Sequence, residues 1–122
     1  MTIKAYLAAR YNRREELEVI ANSLRAYGIE TIARWVFGEE QGLSRESIAL
    51  MDIEDIDKSE MVISFTEPWD TPVVRGGRHV EFGYGLAQGK RMILIGNREN
   101  VFHWHPSVEV YANIDEFIAS LI

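Results

Sequence analysis

The feature that most constrains the fold of this 122-residue chain is the alternation of short apolar runs with segments of helical periodicity. Runs suited to buried strands cover residues 3–8, 30–37, 61–65, 92–95 and 108–111. Strands that alternate with helices are typical of βαβ units, whose right-handed crossovers produce a parallel sheet with helices on both faces. We therefore predict a single doubly wound α/β domain over residues 1–122, with strand order 2-1-3-4-5.

Helix boundaries are indicated by capping residues and glycines. Asn12, with Glu15 three residues later, is typical of a capping box and predicts the start of the first helix, which Gly28 should end. Ser44 is a predicted cap for a second helix that reaches about residue 58. The pair Gly76-Gly77 should open a further helix, and residues 114–122 should form the closing one.

Composition excludes several classes of function. A formal net charge of −6 disfavours binding to polymeric nucleic acid, which draws on a field of the opposite sign. The apolar runs are too short to span a membrane, and the N-terminus lacks the features of a secretory signal. The absence of cysteine excludes disulfides and thiolate metal sites. We expect a cytoplasmic protein without a cofactor.

Two loops should meet at one edge of the sheet. In open parallel sheets, ligands bind beyond the carboxyl ends of the strands where the strand order reverses, which here lies between strands one and three. The arginines cluster in the loops that follow these two strands, at 10, 13 and 14 and at 75 and 78, so both clusters are expected to face one crevice. Residues 66–77 and 96–107 form the long irregular stretches, and loops of that length are typically binding elements or disordered flaps. The predicted ligand-binding residues in the first two loops are Arg10, Tyr11, Asn12, Trp69, Arg75, Gly76, Gly77 and Arg78.

The glycine pair has two interpretations. Before a helix, Gly76-Gly77 can present backbone N–H groups to a phosphate, and the helix dipole adds partial positive charge there. The alternative is a flexible turn, because glycine is common in loops. The neighbouring Arg75 and Arg78 favour an anion site.

Two acids stand out from the solvated ones. Glu81 lies in the opening turns of the glycine-led helix, where we expect a functional acid beside a bound anion. Asp52 shares one face of helix two with Ile48 and Ile56, so a carboxylate interrupts an apolar stripe. The alternative places Asp52 at the helix boundary in solvent, as expected of Glu54, Asp55 and Asp57.

Aromatic and histidine residues are weaker candidates. The Tyr6 side chain can pack in the core and direct its hydroxyl to the carboxyl end of strand one, although most such tyrosines are simply core residues. Trp35, like Tyr11 and Trp69, could stack on a base or serve as a core or loop anchor. His103 and His105 form a bare His-x-His pattern, and with His79 they do not define a metal site.

Three segments together resemble the nucleoside 2-deoxyribosyltransferase family and its hydrolytic relatives, the deoxynucleoside 5'-monophosphate N-glycosidases. They are Tyr6-Leu7-Ala8-Ala9, Asp52 ahead of Ser59-Glu60-Met61-Val62-Ile63-Ser64, and the run from Glu81 through Phe82-Gly83-Tyr84-Gly85-Leu86-Ala87 to Lys90. The likeness extends from strand one through strand four. It implies a Rossmann-like (flavodoxin-like) parallel fold and a homodimer, or dimer-built oligomer, in which neighbouring subunits complete each site.

The resemblance also implies roles for three residues. Glu81 matches the family nucleophile, Asp52 an acid that assists departure of the base, and Tyr6 a tyrosine that positions the nucleophile. The chain departs from the transferases in residues 71–78, where arginine and glycine replace an expected base-recognising Asp. It departs from the monophosphate hydrolases after strand one, where Ala9-Arg10-Tyr11 replaces a Gly-Ser phosphate grip. Guanidinium groups bind phosphate bidentately, so Arg10 and Arg75 could substitute for that grip, which favours a nucleotide over a nucleoside.

The leading hypothesis is cleavage of the N-glycosidic bond of a (deoxy)nucleoside 5'-monophosphate or related nucleotide, by hydrolysis or base exchange through a Glu81 glycosyl-enzyme. The main alternative is a nucleotide-binding protein, a sensor or sequestering module, that keeps the pocket without turnover. A third is an interaction domain in which Glu81 and Asp52 form structural pairs.

Overall fold

A computed structural model describes residues 2–72 and 75–122. Its five strands are β1 (Ile3–Ala8), β2 (Ile29–Thr31), β3 (Met61–Phe65), β4 (Arg91–Ile95) and β5 (Val108–Tyr111). Its α-helices are α1 (Arg14–Leu24), α2 (Arg45–Asp57), α3 (Gly77–Ala87) and α4 (Ile114–Ser120). Residues 73 and 74, which fall in the predicted loop 66–77, lie outside the described residues.

The sheet confirms the predicted topology. All strand pairs are parallel, and the order is β2-β1-β3-β4-β5. The central strands β1 and β3 align Ala5 with Met61 and Ala8 with Ser64, and every residue of β3 is buried. Because the chain moves from β1 to β2 and then crosses back to β3, right-handed crossovers place α1 on one face and α2 on the other. Helix α3 packs against α2.

The second strand is shorter than predicted. Strand β2 ends at Thr31, and Arg34–Phe37 forms a 3-10 turn instead of continuing the strand. Trp35 and Val36 are buried in that turn, and the indole N–H of Trp35 donates to the Leu7 carbonyl oxygen at 2.9 Å. An apolar, β-branched run can be buried in a turn as well as in a strand, so the composition of 30–37 was misleading.

The helix ends differ in detail from the predictions. The Asn12–Glu15 capping box is wrong, because Tyr11–Arg13 forms a 3-10 turn and α1 begins at Arg14 with no side-chain cap. The Ser44 cap is confirmed by its side chain, which accepts a hydrogen bond from the Ser47 N–H at 3.1 Å. Gly28 ends the 3-10 extension of α1 with a φ of 79°. The closing helix α4 ends at Ser120, and 96–107 contains a 3-10 turn, Val101–Trp104.

Candidate active site

A cavity of about 430 Å³ opens at the carboxyl edge of the sheet between β1 and β3, the predicted position. This volume lies in the range of small-molecule sites. The structure brings most of the predicted residues to its walls: Arg10, Tyr11, Asn12, Trp35, Asp52, Arg75, Gly76, Gly77, Arg78 and Glu81. Ala9 and Glu40 complete the lining.

Tyr6 and Glu81 form a direct pair at the base of the cavity. The hydroxyl of the fully buried Tyr6 donates a hydrogen bond to Glu81 Oε2 at 2.5 Å. Strand β1 is covered on both faces, so Tyr6 is a core residue and also extends its hydroxyl to the site. Glu81 also lines the cavity, and among the described residues Tyr6 is the one side chain that hydrogen-bonds its carboxylate.

Close packing of α3 on the sheet fixes the position of Glu81. One turn further along the helix, a Cβ added to Gly85 would lie 2.7 Å from Val62 Cγ2 of β3. Only glycine permits that approach, because ordinary contacts between such atoms are longer than 3.4 Å. The Glu-containing motif of the sequence therefore includes a packing requirement at Gly85.

The surroundings of Glu81 favour its neutral form. Burial, together with the nearby Asp52 and Glu40 charges, raises the pKa of Glu81 to about 8, while the hydrogen bond from Tyr6 acts to lower it. The pKa of Tyr6 is raised by burial and by nearby carboxylates, Glu81 and Asp52 among them. Tyr6 therefore remains a donor, and its hydrogen bond supports the carboxylate form of Glu81 that a nucleophile requires.

Asp52 is placed within α2 rather than at its end, since the helix continues to Asp57. Its side chain is half-buried, and among the described residues Asp52 Oδ1 is a buried atom with no hydrogen-bond partner. Burial raises the pKa of Asp52 to about 7, with contributions from Glu40 and Asp55 and opposition from Arg34. With a pKa of about 7, a substantial fraction of Asp52 is protonated at neutral pH, and this form could donate a proton to a leaving group.

Asp55 corrects one expectation from the sequence. The predicted solvated acid is only 3% exposed, and both its oxygens accept hydrogen bonds from the backbone and guanidinium of Arg34. Its position on α2 is therefore structural, and it ties the helix to the 3-10 turn after β2.

The arginines at the cavity differ in whether a carboxylate already compensates their charge. Arg78 forms a bidentate ion pair with Glu99 and has a side chain only 9% exposed, so its charge is already compensated at the cavity wall. Arg10 lies 3.9 Å from Glu67, and no ion pair of Arg75 occurs among the described residues. These two are the cations best able to meet a ligand.

The first arginine cluster is split, contrary to expectation. Arg13 pairs with Glu16 and Glu67, and Arg14 pairs with Glu18 and donates to the Val36 carbonyl oxygen. Neither lines the cavity. Only Arg10 from this cluster faces it.

The glycine pair begins α3 as predicted. Gly76 is the N-cap residue, with a left-handed φ of 78°, and no side chain caps the first turn. Both glycines line the cavity. Backbone N–H groups at the start of a helix lack intrahelical acceptors and can bind an anion. The exception here is the His79 N–H, which donates to the Gly76 carbonyl oxygen at 3.0 Å.

The aromatic candidates differ in their position relative to the cavity. The ring centroids of Tyr11 and Trp35 lie 6.3 Å apart at the cavity, with Trp35 anchored in the core and Tyr11 55% exposed. Trp69 does not line the cavity, and its side chain is 84% exposed.

The histidines have other surroundings. His103 is buried, and its Nδ1 accepts a hydrogen bond from the Glu99 N–H at 2.8 Å, while burial lowers its pKa to about 4. Over residues 2–72 and 75–122, no cluster of three or more metal-ligating side chains occurs.

Glu40 is the cavity residue that sequence reasoning missed. It lies in the turn at residues 38–42, between the Arg34–Phe37 3-10 turn and α2, for which the sequence indicated no role. The missed signal was the strand order: β2 pairs with β1, so the segment after β2 ends at the same sheet edge as the segment after β1.

Solved structures share this architecture. The chain is similar to the CMP N-glycosidase BcmB of Clostridium botulinum, with 21% identity, a TM-score of 0.67, and 97% of each chain covered. It is also similar to a 2-desoxiribosyltransferase from Leishmania mexicana, with 14% identity, a TM-score of 0.73, and coverage of 98% of this chain and 97% of that one. A conserved protein from Enterococcus faecalis V583 has 17% identity and a TM-score of 0.57, over 100% of this chain and 87% of its own.

These likenesses establish the fold. The five-stranded parallel sheet is that of a single flavodoxin-like domain, shared with a glycosidase and a deoxyribosyltransferase, as the motif resemblance implied. No protein-family model matches the chain, and no curated protein matches it significantly. Over the described residues, no helix is long and apolar enough to cross a membrane.

Proposed function

We propose that this protein cleaves the N-glycosidic bond of a (deoxy)nucleoside 5'-monophosphate or a related nucleotide. The observation that carries the proposal is the Tyr6–Glu81 hydrogen bond at the base of a cavity that Asp52 also lines. A half-buried carboxyl held by a tyrosine, with a second proton-holding carboxyl beside it, is the arrangement that covalent glycoside cleavage needs. The solved glycosidase and transferase of the same fold support this choice.

The reaction would proceed in two displacements. The free oxygen of the Glu81 carboxylate attacks the anomeric carbon, the bond from that carbon to the base nitrogen breaks, and Asp52 gives its proton to the departing base. Asp52 then accepts a proton from water as the water oxygen attacks the anomeric carbon and releases Glu81. A second base attacking in place of water gives base exchange at the same residues.

The phosphate would lie at the N-terminus of α3. The first-turn N–H groups near Gly76 and Gly77, with the guanidinium groups of Arg10 and Arg75, supply donors and positive charge at this end of the cavity. Anchoring the phosphate orients the sugar toward Glu81 and lowers the entropic part of the barrier. Arg78 would act through its ion pair with Glu99 by holding the wall in place.

The test is to incubate the protein with a panel of nucleoside monophosphates and nucleosides and to follow free base by chromatography. Glu81→Gln should reduce base release by roughly 10³-fold or more while nucleotide binding persists, because an amide cannot act as the nucleophile. Tight binding in calorimetry with no base release over hours would instead identify a non-catalytic nucleotide-binding protein. Release that is unchanged in Glu81→Gln would refute the assigned nucleophile.

A further inference from the structure

Glu40 introduces an acid at one end of the cavity that the proposed reaction does not use. It lies in the loop after the 3-10 turn that carries Trp35, on the β2 side of β1. The phosphate-binding end lies on the other side of β1, after β3. A nucleotide whose phosphate meets Gly76 and Gly77, and whose sugar lies over Glu81, would therefore direct its base toward Glu40.

This end of the cavity has the composition of a base site. Tyr11 and Trp35 supply apolar ring surface 6.3 Å apart, and Glu40 supplies a carboxyl. The Glu40 carboxyl is half-buried and makes no hydrogen bond or ion pair within 2–72 and 75–122, while Arg14 is the cation that acts on it at longer range. A half-buried polar group without a protein partner is stabilised when a ligand supplies the missing hydrogen bond.

We propose that Glu40 is a specificity-determining residue whose carboxyl accepts a hydrogen bond from an exocyclic amine of the base. The site would then take nucleotides with an amino-substituted base in preference to their oxo counterparts. This inference rests on the nucleotide site of the proposed function, and it adds the class of base that the site selects.

The selectivity follows from hydrogen-bonding capacity. An ionised carboxyl is an acceptor only, and an exocyclic amine is a donor, so the two pair. An oxo group at the same position is itself an acceptor, so it cannot pair with the carboxylate, and the hydrogen bond at that position is lost. A site that hydrogen-bonds one polar group of its substrate strongly rejects an analogue that lacks this group. Apolar pockets discriminate less strongly between ligands that differ in size.

Two pairs of nucleotides test this contact: cytidine with uridine monophosphate, and adenosine with inosine monophosphate. Within each pair the exchange of amine for oxo also alters the protonation of the adjacent ring nitrogen, and ring size is unchanged. Binding is measured by calorimetry on the Glu81→Gln protein, because this substitution prevents turnover. The pH is set to 8.5 to favour the ionised form of Glu40, whose pKa is raised by burial. In at least one pair, the amino member should bind roughly ten-fold tighter or better, as expected for a hydrogen bond to a charged group.

The decisive variant is Glu40→Gln in the same background. Its amide can donate as well as accept, so most of the preference should disappear while thermal unfolding confirms that the protein is folded. Glu39→Gln is the matched control, because it removes the same charge from an adjacent exposed residue and should keep the preference.

The outcomes separate this inference from the proposed reaction. A preference that survives Glu40→Gln, a preference for the oxo member, or equal binding within both pairs would overturn the role of Glu40. Binding with the predicted preference, combined with no base release by the unmodified protein, would uphold Glu40 and refute the proposed reaction. If none of the four nucleotides binds, the base site and the nucleotide site both fail.

Discussion

At the scale of single residues, the proposed reaction depends on one hydrogen bond between the core residue Tyr6 and the half-buried carboxyl of Glu81. Tyr6 lowers the pKa of Glu81, whereas burial and the neighbouring acids raise it. The balance decides what fraction of Glu81 is ionised at neutral pH. Changes to either partner should therefore alter the pH dependence of catalysis as well as its rate.

Tyr6→Phe tests this coupling. Loss of the hydroxyl should raise the pKa of Glu81 further above that of Asp52, so a smaller fraction of the protein has Glu81 ionised and Asp52 protonated. We expect kcat/KM to fall about ten-fold at pH 7 and the alkaline break of its profile to move to higher pH. Tyr84→Phe is the control, because the Tyr84 hydroxyl donates a hydrogen bond to Asp57 of α2, and neither residue lines the cavity. A Tyr6→Phe profile that overlays the unmodified one would refute the positioning role.

The pH profile of the unmodified protein is a second prediction. Glu81 must be ionised and Asp52 protonated, and their pKa values of about 8 and about 7 lie close together. The kcat/KM profile should be bell-shaped with a narrow maximum, and the pKa values of its two limbs belong to the coupled pair rather than to either acid alone.

Asp52→Asn should remove the alkaline limb and lower the rate by about 10²-fold or more. An alkaline limb that persists in Asp52→Asn would exclude Asp52 as the acid.

Sequence alone made candidates of Tyr6, Asp52 and Glu81, because each is a polar group on an apolar face or near a glycine-led helix. The structure brings the three together, and their roles stay predictions. Glu40 was not identified, since its importance arises from strand order and not from a local pattern. The sequence also could not predict that the charge of Arg78 is compensated. Its partner Glu99 is 21 residues away in the chain, and only the packed loop brings the two side chains together.

At the scale of elements, helix α3 carries Glu81, the proposed nucleophile, to the sheet, and its two internal glycines differ in environment. A Cβ at Gly85 would meet Val62 at 2.7 Å, whereas a Cβ at Gly83 would meet nothing within 4 Å. The sequence motif contains both glycines and does not distinguish them. The structure assigns the packing requirement to Gly85.

Gly85→Ala should push α3 away from β3 and lower the free energy of unfolding by about 1–3 kcal/mol, as overpacking does. Because Glu81 lies one turn earlier, the distance from Tyr6 should increase and kcat should fall. Gly83→Ala should be neutral or stabilising by up to about 1 kcal/mol, since it only reduces the entropy of the unfolded chain. Urea unfolding of both variants makes the comparison, and equal effects at the two positions would contradict the close approach of α3 to β3.

The element boundaries show which sequence signals are reliable. Strands β1, β3 and β5 coincide with their predicted residues because each is a short apolar run between polar segments. The strand predicted over residues 30–37 was wrong in part, because half of the run is buried in a turn that the Trp35 side chain anchors. The Asn12 cap failed because the chain enters α1 through a 3-10 turn. In these places long-range contacts, which no local pattern contains, decide the conformation.

At the scale of the whole molecule, the cavity acids should cost stability at alkaline pH. The folded-state pKa values of Glu81 and Asp52, about 8 and about 7, exceed the values near 4 of unfolded chains. The folded protein therefore binds more protons than the unfolded chain between these values, and stability falls as pH rises through them. The contribution is fully present below about pH 4 and is lost above about pH 8.

Glu81→Gln provides the measurement. The amide cannot ionise, and its oxygen can still accept the hydrogen bond from Tyr6. The melting temperature of the variant minus that of the unmodified protein should therefore be several degrees higher at pH 9 than at pH 5. Glu39→Gln, on the exposed part of the same acidic loop, should show no such trend. A Glu81→Gln advantage that is independent of pH would contradict the raised pKa of Glu81.

The homodimer implied by the family resemblance stays a prediction at this scale. Sedimentation velocity should give a mass near twice the 14.0 kDa of one chain. A protein that is monomeric at micromolar concentration and still releases base would show that one chain holds a complete site.

The most direct test of the central claim is a crystal structure of Glu81→Gln soaked with a nucleoside monophosphate that the unmodified protein cleaves or binds. We predict that the amide introduced at position 81 lies about 3–3.5 Å from the anomeric carbon, on the face opposite the base, with the phosphate at the N-terminus of α3. A nucleotide bound with its sugar away from position 81, or with its phosphate beside that position, would contradict the account.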